Sequence, residues 1–364
     1  MTVKELKERA KELGLTGYSK LLKADLEKLI ATEEATIKDI TLEQAESIVE
    51  SVADVVSYND DTEWKEIRNK GIGGSDIGGI LGQSKWNAPI DVYLDKTGQK
   101  EDSVDNNYSY YGKLFENPIR KDFASKHPEY SVYTVPFTFI SKEYDYFVAN
   151  VDGLIFDKEK EEWGILEIKT SSEWNLKEWS GETIPQSYFL QVQWYLMITG
   201  LKFAKIYAII GGNKPFELTI VRATEEELGY MRDQAIYFWE NHVKALAPPL
   251  PDGSESYMDY LKKQTDELEE ESIELDNKID LKANRIKELE ETLKSIKEEQ
   301  EKLKQEIFAV MIQENTSKGK TENHKYTIVT TNRTTLDSKA LEKAHPELVK
   351  KFQKTIQSKY IRIS

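Results

Sequence analysis

Residues 144–170, YDYFVANVDGLIFDKEKEEWGILEIKT, place two apolar runs either side of a charged turn near Asp157–Glu162. Runs of this length and composition around a polar turn predict a β-hairpin. Asp152 and Glu167 each lie seven or eight residues from the centre of the turn, so pairing sets them close to opposite each other. Side chains alternate along a strand, so Glu167 and Lys169 share one face while Leu166 and Ile168 take the other. Two carboxylates and an amine then converge on one side of a sheet. Burying like charges together is costly unless something positive lies between them. A divalent cation meets that need and leaves Lys169 to handle a water. The ordinary alternative is a surface hairpin whose charges are solvated.

The chain has no Cys and four scattered His (127, 242, 324 and 345), so a metal would sit on carboxylates, which suits Mg²⁺ or Mn²⁺. Its 364 residues predict two to three folded units. Seven Trp, nineteen Tyr and twelve Phe supply enough apolar surface for folded cores. No stretch approaches the ~20 apolar residues of a membrane helix, and no apolar signal core follows the N-terminus, so a soluble, unexported protein without membrane contact is expected. A net charge of −15 is unusual for a nucleic-acid protein, but it is segregated. Lys262–Glu306 carries ten basic against fifteen acidic residues, whereas Met1–Ile30 carries seven against five. Local contact with DNA through a groove is therefore compatible with the composition.

Residues 1–35 read as a small helical module, with Val3, Leu6, Ala10 and Leu13 on a first helix stopped at Gly14. A second helix starts near Lys20 with Leu22, Leu26, Leu29 and Ile30 as its apolar set, and Lys20 and Lys23 near its start are placed to meet phosphates. Residues 36–61 read as linker plus one helix, and 62–250 as a mixed α/β core ended by the Pro-rich stretch 248–253. Residues 254–315 form a long charged helical arm. One heptad seam runs through Met258, Thr265, Ser272, Ile279, Ile286, Leu293, Gln300 and Ile307; a second runs through Leu261, Leu268, Leu275, Lys282, Leu289, Ile296, Leu303 and Val310. Packing of the arm on itself, on the core or on a sister chain fits this imperfect seam equally well. Residues 316–364 are a basic extension with a strand-like segment, a short helix and a basic tail.

Five separated blocks carry a resemblance. They are WKEIRNKGIGGSDIGGILGQSKWNAPIDVYLDKTG from Trp64, GKLFENPIR from Gly112, the Asp152 segment, Glu167-Ile168-Lys169, and PQSYFLQVQWYLMITG from Pro185. Together, over about residues 62–245, they resemble the YqaJ-type viral recombinases, relatives of phage lambda exonuclease among the PD-(D/E)XK nucleases. Residues 1–35 resemble SAP and Rho N-terminal nucleic-acid-binding modules. The resemblance implies a restriction-endonuclease-like core, a central mixed sheet flanked by helices, beside the N-terminal helical module and the C-terminal arm. It makes Arg68 and Ser75 ligands of a 5′-terminal phosphate. It also makes Glu116 a carboxylate near a second metal, and Gln191 a contact of the catalytic Lys or the attacked phosphate. Helical spacing sets Gln191 beside Tyr195. On the apolar side of the Glu116 helix, Leu114, Phe115, Ile119 and Phe123 are expected to be buried, and Trp86 is read as core.

The expected chemistry is metal-assisted phosphodiester hydrolysis. Asp152, Glu167 and the Ile168 carbonyl would hold one Mg²⁺, Asp152 and Glu116 would share a second, and Lys169 would position or deprotonate water. By resemblance, one strand of duplex DNA is degraded from a 5′ end. The 3′ tail left behind serves a single-strand annealing partner, and the enzyme is a homo-oligomeric ring of phage or prophage origin in bacterial cytoplasm. An endonuclease of the same fold, or a non-catalytic DNA-binding or defence-interfering protein, are the alternatives. The intact Asp152, Glu167 and Lys169 speak against the last.

Overall fold

The structure is a computed structural model that describes residues 1–34, 37–100, 107–265, 268, 273–354 and 358–361. Met1–Gln264 and Thr265–Ser364 are separate compact units. The strands of the first are β1 (Ile37–Asp39), β2 (Ala53–Ser57), β3 (Tyr130–Thr134), β4 (Phe137–Ser141), β5 (Val148–Ala149), β6 (Gly153–Asp157), β7 (Glu162–Ser171), β8 (Phe203–Ile210) and β9 (Lys214–Val221). Its helices are α1 (Val3–Glu12), α2 (Lys23–Glu34), α3 (Leu42–Val49), α4 (Asp61–Asn69), α5 (Gly74–Ile80), α6 (Pro89–Lys96), α7 (Asn107–Lys126), α8 (Gln186–Thr199), α9 (Glu225–Phe238) and α10 (Glu255–Gln264).

Six strands form a mixed sheet in the order β1-β3-β6-β7-β8-β9, with β1/β3 and β7/β8 parallel and the other pairs antiparallel. A three-stranded sheet, β2-β4-β5, stands beside it. Alternation on β7 divides the interior. Leu166 and Ile168 pack with Ile119 and Phe123 of α7 on one face, while Ile165 joins Val192, Trp194 and Leu196 of α8 on the other. A mixed sheet covered by helices is the architecture the sequence predicts. Leu6, Ala10, Leu26 and Ile30 form a separate small core between α1 and α2.

Several expectations change. Residues 36–61, read as linker plus one helix, contribute α3 and also two strands, β1 at the edge of the large sheet and β2 in the small one. β1 is only three residues long and pairs with a strand distant in sequence, so no local periodicity announces it. Leu114 and Phe115 are exposed, because burial on α7 is confined to Ile119, Arg120 and Phe123 in its C-terminal half. Leu22 is exposed as well, since it precedes α2 rather than lying on its buried face. Trp86, read as core, is 73% exposed. The Ser84 hydroxyl accepts the Trp86 and Asn87 N–H groups at 3.1 Å each, a turn that holds the chain here while the indole stays in solvent.

The helical arm also starts later than its seam suggests. α10 belongs to the first unit, where Tyr257 is buried in the main core and donates to the Pro249 carbonyl at 2.8 Å. In the second unit α11 (Lys278–Gln313) carries the seam only from Ile279 onward. Leu268 and Leu275 are non-helical, and Ser272 lies outside the described residues. After α11 come a hairpin, β10 (Lys318–Lys320) with β11 (Lys325–Thr327), and helices α12 (Ser338–Ala344) and α13 (Pro346–Phe352).

Candidate active site

The β6–β7 register pairs Gly153 with Leu166, so the next residues outward, Asp152 and Glu167, are opposed as alternation and turn length require. Asp152 is tied to β7, for the Ile168 N–H donates to its Oδ2 at 2.7 Å. Glu167 turns to the α8 face, where it is 1% exposed. Its Oε1 accepts from Lys169 Nζ, and from Gln191 Nε2 at 2.8 Å. Gln191 Nε2 also reaches the Tyr195 hydroxyl at 2.9 Å, the contact expected one helical turn on. The Lys169 ammonium lies 5.1 Å from the centre of the Tyr188 ring, a cation–π contact.

Glu116 comes from α7, on the opposite side of the sheet. Its partner is Arg120, one turn on, which donates to Glu116 Oε1 and, at 2.7 Å, to the Asp152 backbone carbonyl. Arg120 thereby joins the helix carboxylate to the strand that carries Asp152, and it is 6% exposed. Sequence reasoning assigned this residue no role; its spacing of four from Glu116 was the available signal.

Electrostatics follow from this crowding. Burial, and then the Asp152 charge, push the Glu167 carboxyl up to about 8, with Lys169 opposing. Burial and Asp152 raise Glu116 in the same way, against the pull of Arg120. Burial alone would depress the Lys169 ammonium, but Glu167 and Asp152 outweigh it and the pKa rises. In this arrangement Glu167 and Asp152 favour the protonated form of Lys169.

The Gly-rich loop is fixed by a buried ion pair that the sequence did not disclose. Lys96 Nζ meets Asp76 Oδ2 at 2.8 Å, their side chains 0% and 5% exposed. Asp76 Oδ2 also accepts the Gly73 N–H at 2.8 Å, and Lys96 donates to the Arg68 carbonyl at 3.1 Å. Arg68 Nη2 donates to the Ser75 hydroxyl at 2.9 Å, so these two predicted phosphate ligands are adjacent. Gly74 presses α5 onto α8, since a Cβ there would stand 2.5 Å from the Tyr195 ring. Lys20 and Lys23 lie apart, in the α1–α2 pair, where Lys23 meets Glu27 at 3.6 Å.

The chain is similar in sequence to known proteins. The YqaJ-like viral recombinase domain matches residues 63–202. The uncharacterized protein YqaJ of Bacillus subtilis (strain 168) is 38% identical over 223 residues, 60% of this chain and 68% of that protein. The chain belongs to the YqaJ-like viral recombinase family. Among solved structures, the alkaline exonuclease LHK-Exo of Laribacter hongkongensis is 17% identical, with a TM-score of 0.41 over 57% of this chain and 100% of that one. A phage related exonuclease from Haemophilus somnus 129PT is 12% identical, with a TM-score of 0.35 over 50% and 97%.

The family's matched region contains every member of the carboxylate cluster. Among the described residues no three Asp, Glu or His side chains stand ready-made as a metal cage, and Lys169 and Arg120 pair with Glu167 and Glu116. The donor chemistry nevertheless fits a hard divalent cation. The Asp152 charge raises the proton affinity of both Glu167 and Glu116, and Glu167 Oε2 is buried with no hydrogen-bond partner. A buried carboxylate oxygen without a partner is costly, and a cation would satisfy it.

Proposed function

We propose that the chain is a metal-dependent deoxyribonuclease acting as a 5′-to-3′ exonuclease on linear duplex DNA. The observation that carries the proposal is the buried Asp152–Glu167–Lys169–Gln191 cluster with its unpartnered Glu167 oxygen, inside the region matched by the viral recombinase family. A surface hairpin with solvated charges would have no such cluster.

Asp152, Glu167 and Glu116 would hold Mg²⁺, or Mn²⁺, and the Ile168 carbonyl would be a further oxygen donor. When bound, the ion offsets charge developing on the attacked phosphodiester and favours ionisation of water. The chain's own groups do the rest. Lys169 keeps its proton and donates to a phosphoryl oxygen or to the attacking water, orienting it. Gln191 fixes Glu167, and Tyr195 fixes Gln191. Arg120 is a positioning residue that holds Glu116 against the Asp152 strand. Arg68 and Ser75, already paired, receive the 5′-terminal phosphate, with Arg68 supplying charge and Ser75 a hydroxyl donor. Lys20 and Lys23 add phosphate contacts from the N-terminal module. The product, a duplex with a 3′ single-stranded tail, suits a single-strand annealing partner in phage-type recombination within the bacterial cytoplasm. A ring of several copies would keep the DNA threaded.

Digestion of linear duplex DNA, 5′-phosphorylated at one end only, tests this in Mg²⁺, with closed circular plasmid and Lys169→Ala alongside. Strand-selective loss from the phosphorylated end, absent with plasmid and variant, is the expected result. Plasmid nicking would make the enzyme an endonuclease. Binding of DNA without cleavage in Mg²⁺ or Mn²⁺ would overturn the catalytic reading.

A further inference from the structure

Trp64 on α4 meets two cations from different helices. The Arg68 guanidinium, one turn on in α4, lies 5.5 Å from the centre of its ring, and the Lys113 ammonium of α7 lies 5.3 Å from the same centre. The indole itself is fixed. Its N–H donates to Asn150 Oδ1 at 3.0 Å, an oxygen that also accepts the hydroxyl of the fully buried Thr138 at 2.7 Å. Asn150 stands between β5 and β6, two residues before Asp152. The ring is thus anchored to the segment that leads into the carboxylate cluster, and it sets where both charges lie.

Two like charges gathered at one ring repel each other, and an anion bound to both offsets that cost. The chain supplies little of it. Among the described residues no carboxylate pairs with Arg68. The partner of Lys113 is Asp61, 3.9 Å away with its side chain 86% exposed, and water screens such a pair. Arg68 already reaches the Ser75 hydroxyl. Lys113 lies three residues before Glu116, a spacing that makes the two neighbours on α7. Through Trp64, Lys113 therefore joins the Arg68–Ser75 pair to the helix that carries Glu116. The charge of the ligand follows from this pairing. A terminal phosphate monoester carries close to two negative charges at neutral pH, its second ionisation falling near pH ~6, whereas an internal phosphodiester carries one. One guanidinium balances a diester; a guanidinium and an ammonium together balance a monoester.

We propose that Lys113 is a further ligand of the 5′-terminal phosphate and that Trp64 is the positioning residue that gathers Arg68 and Lys113 into one two-cation site, selective for a phosphate monoester over a phosphodiester. The inference rests on the reading of Arg68 and Ser75 as ligands of that phosphate, and adds to it a second charge and the residue that orients both.

The test is binding of the full chain to a DNA hairpin with one open duplex end, labelled in its loop and ending in either a 5′-phosphate or a 5′-hydroxyl. Fluorescence anisotropy without divalent ions gives the two dissociation constants while nothing is cut. The parent should hold the phosphorylated end about 100-fold tighter, and Lys113→Met should reduce that ratio about tenfold while leaving the hydroxyl end almost unaffected. The Lys113 side chain is 62% exposed, so this variant leaves the core intact. Lys113→Arg should keep most of the preference. Trp64→Leu should lower the ratio at least as far as Lys113→Met, although both cations remain. In the parent the ratio should shrink below pH ~6, where the monoester takes up a proton. Equal weakening of both ends by Lys113→Met would make Lys113 a contact of the internal backbone and overturn its assignment. A ratio untouched by Trp64→Leu would remove Trp64 as the positioning residue, and a parent without the preference would overturn both. Phosphate preference in protein that fails to cut DNA in Mg²⁺ would refute the nuclease reading alone, whereas cutting without that preference would refute this site alone.

Discussion

The two units use the same charged residue types in opposite ways. In Met1–Gln264 the decisive charges are enclosed: Lys96 and Asp76 are 0% and 5% exposed, and the Arg120 side chain is 7% exposed beside Glu116. On α11 the pairs Arg285–Glu288 and Glu301–Lys304 are 60% exposed or more on every side chain. Water screens the second set, so each pair contributes at most ~1 kcal/mol. It is excluded from the first, where removing one partner strands the other and costs ~3–5 kcal/mol. Charge in the first unit therefore fixes geometry, whereas charge on the arm stays screened at the surface.

The contrast can be broken or sharpened by experiment. The largest effect is expected at Lys169: Lys169→Ala should lower Mg²⁺-dependent cleavage of linear DNA by roughly 10³-fold, and activity within a few-fold of the parent would remove Lys169 from the chemistry. Arg120→Met should destabilise the first unit by ~3–5 kcal/mol, since Glu116 and the Asp152 carbonyl lose their shared donor. All seven Trp lie between Trp64 and Trp239, so urea unfolding followed by Trp fluorescence reads that unit alone. Lys96→Met should cost ~3 kcal/mol by the same measurement, and Asp76→Asn beside it should recover part of the loss because no buried charge is then left unpaired.

A smaller, graded effect should follow pH. Glu167 rises from 4.5 to about 8 on folding, so between those values the folded protein binds a proton that the unfolded chain does not. The resulting stabilisation is fully present below about 4.5 and is lost as pH climbs through about 8. Metal-free protein should therefore lose stability across that interval, Glu167→Gln should flatten the slope, and Mg²⁺ should stabilise more at the alkaline end, where the carboxylate is free to bind it. A metal-free profile unchanged by Glu167→Gln would contradict this account. The smallest effect belongs to the arm: Glu301→Ala, on an outward position of α11, should shift its thermal helix signal by no more than ~0.5 kcal/mol. A larger loss would mean that this surface is covered.

What could be read in advance follows the range of the physics involved. The β6–β7 hairpin was legible because turn position and two-residue alternation are local, and they brought Asp152 opposite Glu167 with Lys169 on the Glu167 face. The Gln191–Tyr195 contact was legible from helical spacing. Arg120 shared that spacing with Glu116, but its second acceptor, the Asp152 carbonyl, arrives from another element, so the spacing alone did not show the bridge. Nothing local marked Lys96 and Asp76 as a buried pair, and Trp86, read as core, is exposed.

By itself, then, the sequence determined the elements that bear the chemistry, the pairing of Asp152 with Glu167, and the period of the exposed seam on α11. Periodicity is a property of neighbours along the chain. Only the tertiary structure decided that Glu167 is sealed against α8 beside Lys169, that Arg120 bridges Glu116 of α7 and the Asp152 carbonyl, and that Asp76 and Lys96 are sealed under the Gly-rich loop. The dielectric around a charge is set by everything packed against it, and for these residues most of that packing comes from distant parts of the chain.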